Sequence, residues 1–326
     1  MWRWESDPVS LLRNPDEGLS RFASLPMSTF AHSDGPGDGP LRAEAWRLWH
    51  NYVHSGRDVS YEGYFAGFVE SVDTETVREL VLGCWGSSWE DSAEEPIGLL
   101  TQVADRFPNL RLIALGDIPS DEAEISWIRQ GDLTPLLGAF PRLEVLEVRG
   151  GEGLGLRPLA HDSLRALRVE SGGLDGAVVR AVGGSDLPAL EHLELWLGVS
   201  DYGGDATVAD LEGILSGDRL PALRHLGLQD SEIQDEIAAA VASAPVVARL
   251  ESLALSMGTL SDAGAEALLT GQPLTHLRTL DLRHHYVSPS MAERLAGALP
   301  RTAVLLGEAR KPYDFDPDGR YVAVSE

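Results

Sequence analysis

The sequence predicts an α/β solenoid, with a curved parallel sheet lining a concave face and helices on the convex face. The prediction depends on a leucine-based phrase, L-x-x-L-x-L, that begins at Leu110, Leu143, Leu164, Leu190, Leu223, Leu250 and Leu277, with a degenerate copy at Val77. Successive copies start 21 to 33 residues apart, which is typical of repeats that each supply one strand and a return segment. Such units cannot bury their apolar faces alone, so they stack around one core.

Each phrase predicts one short strand, and the segments between phrases predict helices. Side chains alternate along a strand, so positions four and six of the phrase enter the core, while positions three, five and seven face the concave side. Cap signals and apolar periodicity predict helical returns at residues 93–107, 132–140, 176–182, 207–215, 234–243, 263–269 and 289–299.

The regions outside the repeats are expected to differ from the solenoid. Residues 34–40 are rich in glycine and proline and indicate a linker. An edge strand at 45–49 and an amphipathic helix at 61–72 are expected to cover the first repeat. The predicted segments are a flexible lead-in (1–41), an N-terminal cap (42–76), the solenoid (77–306) and an acidic C-terminal tail (307–326).

The repeat at residues 250–269 resembles a ribonuclease-inhibitor-type leucine-rich repeat. The phrase is followed by Leu260, Ser261-Asp262-x-Gly264-Ala and a closing leucine pair, and the resemblance extends over about residues 77–300. The chain also resembles an uncharacterised bacterial family of leucine-rich-repeat proteins, which implies no particular activity. Where that repeat type has Asn or Cys after the strand, this chain has other residues, which predict bends that use glycine conformations. They are Gly151, Gly172, Gly198, Ser231, Gly258 and His285.

Composition limits the classes of partner and the compartment. With 51 acidic and 26 basic residues, the formal net charge is −25, which disfavours nucleic acid and anionic membranes and favours a basic protein. The alternative is that this charge only maintains solubility.

Cys84 is the only cysteine, and neither a signal core nor an apolar run long enough to span a membrane is recognisable, so a cytoplasmic protein is expected. The oligomeric state is left open.

Catalytic and cofactor motifs are not recognisable in the sequence, so neither an enzyme nor a bound cofactor or metal is predicted. The only lysine, Lys311, precedes a proline and cannot belong to a P-loop. Residues 314–319 resemble the start of a calcium loop, but a solvated acidic tail is the simpler interpretation. His284 and His285 are adjacent and are interpreted as turn histidines.

The concave face is predicted to carry an ion-pair ladder. Glu147, Arg168 and Glu194 occupy position five of consecutive repeats and alternate in sign. Arg149 and Glu170 oppose each other at position seven. Cross-strand ion pairs are the simplest interpretation.

Trp196 is the most suggestive residue of the predicted concave face. It is expected beside His192, His225 and Gln229, with small residues beyond, a composition that favours an interface anchor. Burial of Trp196 beneath the following loop, residues 198–205, is the equally weighted alternative.

The loops that follow three strands carry further aromatic residues on one rim. Extra loop length on one rim of a solenoid often carries recognition, whereas packing of these rings against the side of the solenoid is the alternative. The residues concerned are Trp85, Trp89, Trp127 and Tyr202.

A non-enzymatic protein-interaction scaffold, contacting its partner through the concave face and this rim, is the leading functional hypothesis. An inhibitor or immunity-type protein for a basic enzyme is an alternative, as is a purely structural role. An enzyme that uses His192, His225, Glu194 and Glu170 as an acid–base cluster is the remaining alternative.

Overall fold

The computed structural model describes residues 23–31, 39–51, 59–87, 90–312 and 319–325, and these form one curved sheet with helices packed behind it. Each strand pairs in parallel with the next strand along the chain. The eleven strands of the described chain are β1 (Met27–Phe30), β2 (Ala45–His50), β3 (Glu79–Trp85), β4 (Leu112–Leu115), β5 (Val145–Arg149), β6 (Ala166–Glu170), β7 (His192–Gly198), β8 (His225–Ser231), β9 (Ser252–Ala254), β10 (Thr279–Asp281) and β11 (Ala303–Leu305).

Helices fill most of the returns between strands, largely where apolar periodicity predicts them. The repeat that links β5 to β6 is the shortest, and its return contains no helix. The α-helices of the described chain are α1 (Tyr61–Ser71), α2 (Glu94–Gln102), α3 (Thr134–Ala139), α4 (Gly176–Gly184), α5 (Glu212–Ser216), α6 (Gln234–Val241), α7 (Asp262–Thr270) and α8 (Pro289–Ala298).

The helix starts follow local cap chemistry. At α7, the hydroxyl of Ser261 accepts a hydrogen bond from the Ala263 amide, which satisfies a donor that has no partner within the helix. At α8, Ser288 accepts from Met291, and Pro289 occupies the first turn, where its missing N–H costs nothing.

One continuous core joins the repeats. Leu193, Leu226 and Leu253 occupy the same phrase position in consecutive repeats, and all three are fully buried in a single cluster. The strand register also places position three opposite position three and position five opposite position five from β3 to β10. The fold is therefore a leucine-rich-repeat solenoid, as the sequence predicts.

The N-terminal region contributes more to the fold than the predicted lead-in allows. The strand β1 lies within residues 1–41 and pairs with β2, so the expectation of flexibility is wrong for residues 27–30. Because β1 covers it, β2 is not the edge strand that was expected. The strand and helix predicted for residues 42–76 are present as β2 and α1. Residues 1–22 lie outside the described chain.

The concave face of the first repeats is covered rather than open. Val81, Leu112 and Val145 belong to a second apolar cluster on that face, and Ala23 and Met27 pack against it. The backbone N–H and hydroxyl of Ser24 donate hydrogen bonds to the buried carboxylate of Glu79. The segment before β1 therefore lies across the concave end of the sheet.

Residues 319–325 also lie on the protein, whereas the sequence favours a solvated tail. They cross the ends of the strands in the direction opposite to the order of the repeats. Successive hydrogen-bonded contacts along this segment, the C-terminal strap, join Tyr321 to Tyr286, Ala323 to Met257, Val324 to Asp230 and Ser325 to Ser126. Most of the calcium-like sequence, residues 314–318, lies outside the described chain.

The bends after the strands depend on glycine at only some of the expected positions. Gly198 has a φ of 68°, which is left-handed, as the missing Asn or Cys predicts. Gly151, Gly172 and Gly258 are not left-handed. An added Cβ would collide with a neighbouring repeat at Gly151 and Gly258, and with Ser126 and the C-terminal strap at Gly172. In the later repeats the left-handed residue comes one place earlier, at Asp230, Met257 and His284.

Candidate concave polar site

The concave face of β5 to β9 carries a group of polar and charged side chains, which we call the concave cluster. Its members are Glu147, Arg149, Arg168, Glu170, His192, Glu194, Trp196, His225, Gln229, Ser252 and Ser256. Parallel pairing sets their positions, because Glu147 is opposite Arg168, Arg168 opposite Glu194, and His192 opposite His225. Side chains on adjacent strands are therefore neighbours on one face.

Arg168 is the centre of the predicted ion-pair ladder, which the structure confirms. Its Nε lies 3.1 Å from Glu194 Oε1, and its Nη1 lies 3.8 Å from Glu147 Oε1. A further Nη atom contacts Glu170, whose other oxygen lies 3.1 Å from Arg149 Nη1. Three carboxylates thus surround two guanidinium groups, which leaves a formal charge of −1 in the network.

Burial strengthens the Coulombic attraction within this network and makes the loss of one partner more costly than in an exposed ladder. The side chains of Arg168 and Glu194 are only 6% and 3% exposed. Burial alone would lower the pKa of Arg168, but the charges of Glu170, Glu194 and Glu147 outweigh it and raise that pKa above its ordinary value. Arg168 therefore remains charged, and its removal would leave carboxylates buried without compensation.

Trp196 is not the exposed anchor that the concave position indicates. Its side chain is 1% exposed, and its indole Nε1–H donates a hydrogen bond to Glu194 Oε1 at 3.1 Å. The guanidinium of Arg168 lies 5.3 Å from the ring centroid, a cation–π distance. The expectation of an exposed ring is therefore wrong, because the ring is a packing and hydrogen-bonding partner of the ion-pair network.

The buried state of Trp196 agrees with the alternative interpretation in outcome, and the C-terminal strap runs across the strand ends beside it. Val324 of the C-terminal strap binds Asp230 at the end of β8, while Ser325 O accepts from Ser126. Ser325 O also lies beside Gly172 after β6. Since β7 lies between β6 and β8, the strap crosses the end of the strand that carries Trp196.

The two histidines of the concave cluster are stacked. The ring centroids of His192 and His225 are 4.0 Å apart, and the planes differ by 12°. The Nε2 of His192 lies 3.4 Å from Glu194 Oε2, and the Nδ1 of His225 lies 2.6 Å from Ser252 Oγ. His192 is buried and His225 is half-buried, so the pair is accessible from the side of His225.

Gln229 and Ser256 continue the concave cluster beyond the histidines. The Nε2 of Gln229 donates to Ser256 Oγ at 2.7 Å, and both side chains are buried. Of the concave residues predicted to contact a partner, Arg168, His192, Glu194, Trp196 and Gln229 are therefore all buried. The register brings them together as predicted, but solvent reaches chiefly His225.

The rim residues fall into different environments. Trp85 is buried, and its Nε1–H donates to Asp91 O at 3.1 Å, so its ring packs against the solenoid. Tyr202 is half-buried. Trp127 is 54% exposed and is the most exposed large apolar side chain in the described ranges. Trp89 lies outside the described residues.

Several polar residues of the site were not singled out from the sequence. Ser252 and Ser256 appear in the predicted concave rows, but their serine type carries no signal until the register places them beside His225 and Gln229. Asp230 was also missed, although it is buried and its φ of 54° is left-handed. A polar residue near the end of a repeat strand is the available signal for Asp230.

The concave cluster can perform two kinds of chemistry in principle. A carboxylate and two imidazoles in contact can exchange protons or share a cation. The ligand atoms of His192, Glu194 and His225 all lie within 4.8 Å of one another. His284 and His285, in contrast, bind the C-terminal strap and the last repeat, with ring Nε2 atoms near Tyr321 O and Leu306 O respectively.

Comparison with known proteins finds a similar fold in a solved structure. No protein-family model matches the chain, and the curated proteins contain no match. Among solved structures, a Bacteroides fragilis protein determined by the Northeast Structural Genomics Consortium has 29% sequence identity and a TM-score of 0.78, covering 88% of this chain and 79% of that chain. An internalin of Listeria monocytogenes has 13% sequence identity and a TM-score of 0.36, and the match covers 80% of this chain and 71% of the internalin chain.

The helices of the described ranges do not include one that could cross a membrane, because none combines sufficient length with sufficient apolar character.

Proposed function

We propose that the protein is a non-enzymatic interaction scaffold that binds a protein partner through the rim loops and the adjoining concave face. The observation that carries this proposal is the exposed indole of Trp127 on the rim. Large exposed aromatic side chains are enriched among residues that dominate protein interfaces. A leucine-rich-repeat solenoid supplies an extended surface suited to this role.

Trp127 is held in place by its neighbours. Ile125 and Ile128 on either side are fully buried, and Ser126 Oγ donates to Ser325 O at 2.5 Å. The backbone is therefore fixed on both sides while the ring remains in solvent. A fixed anchor loses little conformational freedom when a partner covers it, which favours binding.

The concave cluster has a different role in this proposal from the one its sequence positions suggest. Its buried ion pairs give the floor beside the rim a fixed shape, and His225 is one of the half-buried members that a partner can reach. Tyr202 contributes a half-buried ring on the same rim. Trp85 supports its loop from below, and Trp89 stays a predicted contact.

The chemistry of the partner follows from charge. A formal charge of −25 attracts a basic protein, and charged rims accelerate association through long-range attraction. An inhibitor or immunity-type protein for a basic enzyme is the second candidate, favoured by the same charge and by the ribonuclease-inhibitor-like form of the repeats. We place this activity in the cytoplasm, as expected for a chain with one cysteine.

A capture experiment with a matched control tests the rim. Wild type, Trp127→Ala and Glu293→Ala are immobilised and exposed to a lysate of the source organism; Glu293 is exposed on α8. Specific partners should be lost with Trp127→Ala and kept with Glu293→Ala. Retention of every specific partner by Trp127→Ala would show that the rim is not the contact surface.

Salt dependence separates a basic partner from a neutral one. The association rate with a captured partner should fall steeply as ionic strength rises, because exposed charges are screened over about 8 Å at physiological salt. A flat salt dependence would remove the support for inhibition of a basic enzyme, while leaving the scaffold proposal to the Trp127 experiment.

A further inference from the structure

The stacked histidines and Glu194 form a ligand set whose metal-binding chemistry the interaction proposal does not use. All three lie on the concave face, at positions three and five of adjacent strands. Parallel register holds His192 directly opposite His225, while Glu194 lies two residues beyond His192 on the same side of the strand. The backbone therefore fixes all three attachment points.

We propose that His192, Glu194 and His225 bind a divalent transition-metal ion of the Zn²⁺ class. Two imidazoles and a carboxylate are a ligand set that zinc accepts, and three protein ligands leave a fourth position for water or a partner's side chain. The site is separate from the rim contact of Trp127, so it does not depend on the proposed function.

The distances agree with this assignment. Zinc bonds of 2.0–2.1 Å in a tetrahedron require ligand atoms about 3.3 Å apart. His192 Nε2 and Glu194 Oε2 are already 3.4 Å apart, and the ligand atoms of all three residues lie within 4.8 Å. The imidazole planes are nearly parallel, so binding requires one ring to turn about its Cβ–Cγ bond.

Neighbouring groups orient each ligand. Ser252 Oγ lies 2.6 Å from His225 Nδ1, which favours a proton on that nitrogen and leaves Nε2 as the metal ligand. Arg168 and Trp196 both donate to Glu194 Oε1, which directs Oε2 towards His192. Such outer contacts are typical of metal-binding histidines and carboxylates.

The charge of the concave cluster also favours a cation. Glu147, Glu170 and Glu194 carry three negative charges against two positive charges on Arg149 and Arg168, which leaves −1. A divalent ion with a bound hydroxide would bring this sum to zero. His225 is half-buried, whereas His192 and Glu194 are buried, so the ring of His225 is the part of the ligand set nearest to solvent.

Zinc titration of the full-length protein tests the proposal. Isothermal titration with Zn²⁺ in competition with a chelator should reveal one tight site in wild type. His192→Ala and His225→Ala should each remove it. His276→Ala should bind like wild type, because His276 contacts Val247 O and lies outside the concave cluster.

An outer-contact variant tests orientation rather than ligation. Ser252→Ala should weaken zinc binding by about 10–100-fold while preserving the stoichiometry, as is typical when a group that orients a ligand is lost. An unchanged affinity in Ser252→Ala would overturn the assigned orientation of His225. Absence of a tight site in wild type, or wild-type affinity in His192→Ala and His225→Ala, would overturn the site itself.

X-ray absorption of the zinc-loaded wild type keeps the test independent of variant folding. The expected spectrum has nitrogen and oxygen neighbours at about 2.0 Å, with outer-shell scattering from two imidazoles. A spectrum without imidazole scattering, or one with a sulfur neighbour, would contradict the assignment even if the alanine variants did not fold.

Discussion

Asp230 at the end of β8 accepts a hydrogen bond from the Val324 amide, 94 residues later in the chain, with Oδ1 and N 3.0 Å apart. The side chain of Asp230 is fully buried. Ala323 N donates to Met257 O in the next repeat, so the C-terminal strap is held by consecutive repeats. One buried carboxyl group therefore links the solenoid rim to the C-terminal strap.

Asp230→Asn should change how stability depends on pH. Burial raises the pKa of Asp230 well above its ordinary value, against the opposing hydrogen bonds from the Val324 and Ala323 amides. A raised pKa in the folded state favours the protonated carboxyl. The protonated carboxyl of Asp230 therefore makes its full contribution to the free energy of unfolding below about pH 4, which is the pKa expected in the unfolded chain. That contribution is lost as the pH rises towards the pKa of Asp230 in the folded state.

Asparagine keeps an oxygen acceptor and tolerates the left-handed φ of Asp230 but does not ionise. Urea unfolding of both proteins between pH 4 and pH 8 checks this. The free energy of unfolding of wild type should fall relative to that of Asp230→Asn as pH increases. A constant difference across that range would show that Asp230 does not titrate in the proposed way.

The repeat pattern accounts for much of what the structure contains. The alternation rule placed Glu147 opposite Arg168 and Arg168 opposite Glu194, and both pairs are present in the predicted register. Such placement succeeds because a shift of one residue would move the core leucines to the concave side. Local periodicity therefore determines both the core and the neighbours on the opposite face.

The coverage of the sheet by the two terminal segments could not be predicted in the same way. Coverage of the concave face involves Ala23 and Met27, and coverage of the rim involves residues 319–325. Neither segment carries the repeat phrase, and each reaches its site by contacts far apart in sequence. Position seven of a repeat strand likewise indicates only which side the Trp196 indole faces, and not that the ring is buried.

Arg168→Ala should destabilise the protein by about 3–5 kcal/mol, because it leaves Glu147, Glu170 and Glu194 buried without their common partner. Arg165→Ala is the matched control. Arg165 pairs with Glu191 at 2.8 Å, but both side chains are about a third exposed, at 32% and 31%. Its loss should cost at most about 1 kcal/mol.

Urea unfolding of Arg168→Ala and Arg165→Ala measures that difference directly. Similar losses in the two variants would mean that burial adds nothing to the Arg168 interactions.

Trp196→Phe should cost more than Trp85→Phe, although both rings are equally buried. Trp196 donates to the carboxylate of Glu194, whereas Trp85 donates to the neutral carbonyl of Asp91, both at 3.1 Å. Hydrogen bonds to charged groups contribute about 1.5–3 kcal/mol, against about 0.5–1.5 kcal/mol for neutral ones. Denaturant unfolding of the two variants gives the comparison, and a larger loss for Trp85→Phe would contradict it.

Gly198→Ala should be more destabilising than Gly203→Ala, because only Gly198 is both left-handed and closely packed. Both glycines have positive φ, 68° and 87°, so alanine costs about 1–2 kcal/mol at either position. A Cβ at Gly203 meets nothing within 4 Å, but one at Gly198 would collide with the backbone of Gly172.

The collision at Gly198 should add about 1–3 kcal/mol, since the backbone of the neighbouring repeat must shift to relieve it. Thermal unfolding of the two variants under one set of conditions separates the conformational cost from the steric cost. Equal melting temperatures would mean that β6 and β7 can move apart at the bend without loss of stability. In that case the close approach of Gly172 and Gly198 would not contribute to the shape of the rim.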